Sequence, residues 1–167
     1  MNLGIQAESA KGAAELDPVA EFTQGVKLLN NGYPQKALVC FRGAFECEKK
    51  NPYYISFLGL SIARAQRKWD QAVKLCEIAV QLKRAEVQFH LNLADVYAAA
   101  GRRENALDTL DSALELLGED KRLRGARNKV EKRRTPVLPF LTREHFLNRE
   151  LGKMRHRALK RLRKENP

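Results

Sequence analysis

The residue types that most often carry catalysis or bind metals are scarce in this chain of 167 residues. The histidines and cysteines are His90, His145, His156, Cys40, Cys47 and Cys76. No histidine has a cysteine or carboxylate at a spacing that suits a metal site or a nucleophile with its base. The glycines form no phosphate-binding motif. The sequence therefore predicts a protein that is not an enzyme and holds neither a metal nor a cofactor.

The cysteines are odd in number and lack CxxC spacing, which argues against a disulfide scaffold and against a zinc site. We expect reduced structural thiols, with Cys76 at a core position of a helix, and we expect His90 to pack inside the fold. No apolar run approaches the roughly 18 residues that a membrane span requires. Residues 1–5 lack the basic and apolar regions of a secretory signal. These features favour an intracellular, cytoplasmic protein.

The net charge of +11 is placed unevenly along the chain. Residues 121–167 contain 17 lysines and arginines but only 4 acidic residues, which gives this part a charge of +13. Residues 1–120 carry a charge of −2. The chain is therefore a nearly neutral body followed by a strongly basic C-terminal part.

A repeat runs through the body. Ala37, Ala72 and Ala106 are separated by 35 and then 34 residues, and each is followed by another alanine seven positions later. An apolar residue stands four positions after each of them. Positions 0, 4 and 7 lie on one face of a helix. The pattern predicts three equivalent amphipathic helices.

A second set of small residues precedes these alanines by twelve or thirteen positions, at Gly25, Gly59 and Ala94. Turn-forming residues lie between the two sets, at 30–32, 66–68 and 100–102. Small residues let the two helices of a hairpin approach closely. The unit is predicted to be a helix, a tight turn and a second helix, repeated three times.

This pattern resembles the tetratricopeptide repeat, with three copies at residues 18–51, 52–86 and 87–120. The matching positions are Gly25, Leu28, Gly32, Ala37, Phe41 and Ala44, then Leu58, Gly59, Ile62, Trp69, Ala72, Cys76 and Ala79, then Leu93, Ala94, Tyr97, Gly101, Ala106, Leu110 and Ala113. The chain departs from the pattern at Gln24, Ile55 and His90, and each copy lacks the closing proline. The resemblance implies an all-α solenoid of stacked helical hairpins.

The flanking segments have their own patterns. Residues 1–17 are expected to be disordered at the N-terminus, and residues 121–134 to form a helix that caps the stack. Residues 135–142 contain two prolines and are expected to be extended. Residues 143–167 are expected to form a basic amphipathic helix.

In the tetratricopeptide family the first helices line a concave groove that holds peptides, and the resemblance implies such a groove here. The inward-facing candidates are Phe22, Val26, Leu29, Tyr53, Phe57, Leu60, Arg64, Leu91, Asn92 and Asp95. The family also has a clamp of Lys and Asn residues for acidic C-terminal peptides. Phe22, Val26 and Phe57 occupy several of those positions, and only Asn92 is of a matching type. The resemblance favours a protein–protein interaction module, adaptor or chaperone-like, for an apolar extended peptide.

One such peptide lies in the chain itself. We expect the apolar side chains of Val137, Leu138, Phe140 and Leu141 to dock on the array, either in the groove or on the outside of the stack. Seven extended residues span at most about 23 Å, and neighbouring helices pack about 8–10 Å apart. This self-docking segment is long enough to cross two first helices.

The basic tail has three interpretations that the sequence leaves open. Its cationic residues include Arg149, Lys153, Arg155, Arg157, Lys160, Arg161, Arg163 and Lys164. The helix could pack its apolar stripe on the body, bind nucleic-acid phosphates, or bind an anionic membrane surface. A nucleic-acid-associated protein anchored by this tail is the alternative to a peptide-binding module.

Overall fold

The computed structural model describes residues 17–132, 145–147 and 149–155, and within these ranges it contains helices and no strand. The helices of the array are α1 Pro18–Asn30, α2 Pro34–Cys47, α3 Pro52–Gln66, α4 Trp69–Leu82, α5 Val87–Ala99, α6 Arg103–Leu117 and α7 Lys121–Lys132. The chain divides into two compact units, residues 1–130 and residues 131–167. The predicted all-α hairpin architecture is confirmed.

The helices pair as the repeat predicts. α1 packs on α2, α3 on α4 and α5 on α6, while α2 also contacts α3 and α4 contacts α5. The first helices α3 and α5 lie against each other as well. Each hairpin thus buries its apolar face against the next one, as expected for a solenoid.

The first helices begin at capping residues that the sequence signals. The side chains of Asp17 and Asn51 accept hydrogen bonds from the backbone N–H groups of Val19 and Tyr53, at 2.9 and 3.0 Å. A proline follows each cap and removes one N–H that would have no helical partner. α5 begins without a proline, and Glu86 caps it with a longer bond of 3.4 Å.

The turns between paired helices need a left-handed residue. Gly32 and Gly101 fill this role with φ of 81° and 80°. The turn of the second hairpin, residues 67–68, is one residue shorter than the other two, and Arg67 takes φ of 56°. A non-glycine residue in this region carries a steric cost of about 1–2 kcal/mol. The second turn is therefore the strained one of the three.

The core consists of the small and apolar positions of the repeat. Ala37, Ala72 and Ala106 are fully buried, as are the alanines seven positions later. Gly25 lies so close to Phe41 that a Cβ atom would stand 2.7 Å from the ring. The close approach predicted for the small residues is confirmed at this position.

α7 packs on the last hairpin of the array. Leu123 is fully buried and Val130 nearly so. Arg127 of α7 forms an ion pair with Asp111 of α6. Arg103 donates from Nε to the carbonyl oxygen of Val130, at 3.3 Å. These contacts hold α7 on α6, while most of its other side chains are exposed.

In the second unit, residues 146–147 and 149–155 are helical. Lys153 donates from Nζ to Glu150 at 2.6 Å, and the side chains of Phe146 and Met154 are exposed. None of the helices in the described ranges combines the length and hydropathy that crossing a bilayer requires.

Several sequence predictions lie outside the described residues. These are the disorder of residues 1–17 except for Asp17, the extended segment with Val137, Leu138, Phe140 and Leu141, and the tail positions Arg157, Lys160, Arg161, Arg163 and Lys164. For Asp17 the prediction of disorder is wrong, because this residue caps α1. Of the tail cations, Arg149, Lys153 and Arg155 are described; the first two are exposed and Arg155 is partly buried.

Candidate peptide-binding face

The three first helices, α1, α3 and α5, present one shared surface. We call it the first-helix face. The predicted groove residues that keep accessible surface on it are Phe22, Val26, Tyr53, Phe57, Arg64, Leu91 and Asp95. Val19 extends the same stripe of α1 and is 62% exposed, although the sequence analysis did not select it. Val19, Phe22 and Val26 stand at i, i+3 and i+7, so they share one side of α1.

Three of the predicted groove residues lie in the core instead. Leu29 and Leu60 are each 5% exposed and Asn92 is 2% exposed. Asn92 donates to Ser56 Oγ at 2.9 Å and accepts from Gln88 Nε2 at 2.8 Å. A buried amide needs such partners, and the bond to Ser56 ties α5 to α3. Its side chain is therefore used in packing.

An aromatic cluster supports the α1–α3 part of the face. Phe22 meets Phe57 edge to face, with ring centroids 5.1 Å apart. Phe22 also contacts Phe41 and Tyr54, at 5.6 and 5.3 Å. Phe22 and Phe57 remain only partly buried. Each ring is thus fixed on one side and accessible on the other, which suits contact with apolar side chains.

Towards α5 the face becomes polar but neutral. Arg64 Nη2 lies 2.5 Å from Asp95 Oδ2 and joins α3 to α5. Both side chains are partly exposed, so the ion pair contributes only about 0.2–1 kcal/mol.

Tyr53 is the centre of a hydrogen-bonded group at one end of the face. Its hydroxyl donates to Glu86 Oε2 at 2.5 Å and accepts from Lys83 Nζ at 3.0 Å. The Tyr53 hydrogen bond lowers the pKa of Glu86, and the same hydroxyl raises the pKa of Lys83. Both residues are therefore ionised at neutral pH. The ring of Tyr53 packs edge to face on Phe89, with centroids 4.9 Å apart.

A shallow depression lies beside this group. Its lining residues are Glu48, Lys49, Lys50, Asn51, Pro52, Tyr53 and Lys83. Only Tyr53 was selected from the sequence. Pro52 begins α3, and the others belong to the loops before α3 and α5. The repeat pattern gives no information about which loop residues meet.

His90, Cys76 and the partly buried Cys40 are engaged in packing, whereas Cys47 is exposed. His90 is nearly buried, and its Nε2 lies 2.8 Å from the carbonyl oxygen of Arg84. Cys76 is fully buried, and burial raises the pKa of its thiol to about 12. Burial and, next, a hydrogen bond with Glu21 raise the pKa of Cys40. These two thiols are therefore protonated at neutral pH. Among the described residues, no three potential ligands meet as a metal site would require.

Comparison with known proteins points to one family. A family model of the tetratricopeptide repeat matches residues 63–130. No curated protein sequence matches the chain. Two similar solved structures are the second TPR domain of human RPAP3 in complex with an HSP70 peptide, and the TPR2B domain of yeast Sti1 in complex with pHsp70.

The sequence identities to these two TPR domains are low, although the alignments cover nearly all of each domain. The RPAP3 domain is 17% identical with a TM-score of 0.56, over 70% of this chain and 96% of that one. The Sti1 domain is 15% identical with a TM-score of 0.56, over 70% and 98%. The O-GlcNAc transferase of Thermobaculum terrenum is 22% identical with a TM-score of 0.59, over 68% of this chain but 22% of that one. These likenesses establish the shared fold.

Proposed function

Because the chain is a tetratricopeptide repeat protein, we propose that it is a non-enzymatic protein–protein interaction module that binds an extended apolar peptide on its first-helix face. The observation that carries this proposal is the row of accessible apolar side chains on the three first helices. Its members are Val19, Phe22, Val26, Phe57 and Leu91. Burying a side chain of this size contributes about 1.5–3 kcal/mol, so a few contacts suffice for binding.

The charges of the face argue against an acidic chaperone tail as the peptide held at its centre. The RPAP3 domain is seen with an HSP70 peptide and the Sti1 domain with pHsp70. In this chain Phe22, Val26 and Phe57 stand at positions where the family's clamp would need polar groups. Arg64 is already paired with Asp95. The centre of the face therefore offers apolar contacts to an apolar ligand.

The peptide comes from another protein or from the chain itself. Val137, Leu138, Phe140 and Leu141 have the required chemistry, and their sequence position follows α7 closely. If they occupy the face, they compete with any external peptide. A double variant with Val137→Asp and Phe140→Asp would then bind external peptides more tightly than the natural chain.

The first test compares two faces of the folded chain. We expect Val26→Asp and Leu91→Asp each to weaken binding of peptides selected from a random library by about tenfold, because a carboxylate must lose its water in an apolar contact. Fluorescence anisotropy with the full chain measures the affinity. Where Val26→Asp unfolds the protein, the isosteric Val26→Thr replaces it.

The matched controls are Val39→Asp and Leu116→Asp. These side chains lie on the second helices and are 71% and 59% exposed. We expect them to leave the affinity unchanged and circular dichroism to show all variants folded. Equal losses from both pairs of variants would rule out the first-helix face as the binding surface.

The charge of the C-terminal part supports a second candidate function, nucleic-acid association. Residues 121–167 carry a charge of +13, and Arg149 and Lys153 are exposed. If about five phosphates of duplex DNA are neutralised, the logarithm of the affinity falls with the logarithm of salt concentration at a slope of about −4.5. Arg149→Glu with Lys153→Glu should make the slope shallower by about 2. No binding at low salt would remove this candidate.

A further inference from the structure

Gln88 is an amide of the first-helix face that the sequence analysis did not select. It stands three positions before Leu91 and seven before Asp95, so the three side chains share one side of α5. It also takes the second position of its repeat copy, as Tyr53 and Val19 do in theirs. Gln88 therefore belongs to the surface on which the peptide is proposed to lie.

The side chain of Gln88 is held by residues of the core. Its Nε2 donates to Asn92 Oδ1 at 2.8 Å, and Asn92 Nδ2 donates to Ser56 Oγ at 2.9 Å. Asn92 and Ser56 are buried, whereas Gln88 keeps accessible surface. Two buried residues thus fix an accessible amide, which reduces the conformational entropy that its side chain would lose on binding a ligand.

The carboxamide of Gln88 has unused hydrogen-bonding groups. Its Oε1 accepts no hydrogen bond from the residues that the structure describes. Among those described residues that are not exposed, no side-chain oxygen or nitrogen is buried without a partner, so Oε1 reaches solvent. Nε2 uses one of its two hydrogens on Asn92. One acceptor and one donor therefore remain for a ligand.

Other polar groups of the face are already paired. Asp95 accepts from Arg64, and the Tyr53 hydroxyl donates to Glu86. A peptide that lies on the apolar part of the face loses water from its backbone N–H and C=O groups, and these groups then need new partners. The carboxamide of Gln88 suits this role, because it is neutral and offers the same donor and acceptor as a peptide group.

We propose that Gln88 binds the backbone of the peptide on the first-helix face, with Oε1 accepting an N–H and Nε2 donating to the C=O of the same peptide residue. The inference rests on the proposed function. In an extended strand these two groups of one residue point to the same side, as the paired bonds of antiparallel sheets show. In a helix they are bonded within the helix. Gln88 therefore selects an extended ligand over a helical one, whatever side chain the contacted residue carries.

Backbone esters test this contact. A peptide selected on the face is synthesised as a set in which each amide in turn is replaced by an ester, which removes one N–H and keeps every side chain. We expect one ester to weaken binding to the full natural chain by about fivefold, as the loss of one hydrogen bond predicts. Fluorescence anisotropy measures the affinities. A set without a sensitive position would overturn the proposal, because the N–H groups of the ligand would then be paired within the ligand or left in water.

Two variants assign the sensitive position to Gln88. In Gln88→Met, which has a similar length but neither an amide oxygen nor an N–H, the ester should no longer weaken binding. Gln88→Lys can still donate to Asn92 but has no acceptor, so it should abolish the ester effect as well, and it decides the question if the methionine variant does not fold. The matched control is Gln81→Met, whose glutamine is exposed on the second helix α4 and should leave the effect intact. An ester effect that persists in the Gln88 variants would overturn the proposal.

The two proposals fail in different ways. If the face does not bind peptides, Val26→Asp and Leu91→Asp leave peptide affinity unchanged, and both proposals are wrong. If only the role of Gln88 is wrong, Val26→Asp and Leu91→Asp still weaken binding, while the natural chain and Gln88→Met respond to the set of esters in the same way.

Discussion

Gly59→Ala is expected to lower the free energy of unfolding by about 2 kcal/mol, although alanine is the better helix former. A Cβ atom at this position would stand 2.9 Å from the carbonyl oxygen of Ala72 and 2.9 Å from Cys76 Sγ. The carbonyl belongs to the backbone of α4, so the clash is relieved only if the helices separate. Such overpacking costs about 3 kcal/mol, and helix propensity returns about 1 kcal/mol.

Gly125→Ala is the matched control for this prediction. Gly125 lies within α7, and a Cβ atom there would meet nothing within 4 Å. Without a clash, only helix propensity acts, and we expect a gain of up to about 1 kcal/mol. Urea unfolding followed by circular dichroism measures both variants. If both variants had a higher free energy of unfolding than the natural chain, α3 and α4 would not approach as closely at Gly59 as the structure shows.

The sequence predicts the contacts that the repeat imposes. Ala72 and Gly59 could be selected because the same position of every copy of the repeat holds a small residue. The close approach of two helices requires small side chains, and the size of a side chain is known from its residue type. The order of helices and the positions of their caps follow from equally local signals.

The accessible residues of the first-helix face were harder to predict. Helical spacing shows on which side of a helix a side chain lies, but it does not show whether that side chain is buried or exposed. Leu29 and Leu60 lie on the selected stripes of their helices, but on the side that turns into the core. Asn92 is drawn inward by its bond with Ser56. Whether such a side chain is accessible depends on the neighbouring helix, and one helix taken alone does not contain that information.

The contacts that loop residues make with Tyr53 could not be predicted from the sequence. Lys83 and Glu86 reach Tyr53 from 30 and 33 residues away in the chain. The repeat period brings each loop near the previous one, but it does not state which loop side chains meet. The sequence therefore identified Tyr53 as a groove residue without the charged group around it, and this group is what gives the end of the face its chemistry.

Phe41→Ala is expected to cost about 3–5 kcal/mol of the free energy of unfolding, because it empties a site that is fully buried. The ring supports Phe22 and Phe57, with centroids at 5.6 and 5.5 Å. Peptide binding should therefore weaken even where the protein stays folded. Denaturant unfolding at low temperature measures the loss, and Phe41→Leu gives a milder variant if the alanine variant does not fold.

Gly25→Ala on α1 should partly fill the cavity that Phe41→Ala leaves. In the natural chain, Gly25→Ala places its Cβ atom 2.7–3.0 Å from three atoms of the Phe41 ring and is expected to destabilise. With Phe41 replaced by alanine, the same methyl group enters empty space, and the helix propensity of alanine adds about 1 kcal/mol. Gly25→Ala should thus change sign between the two backgrounds, and the coupling measures the contact directly. The same loss in both backgrounds would show that the Gly25 position does not pack against the ring.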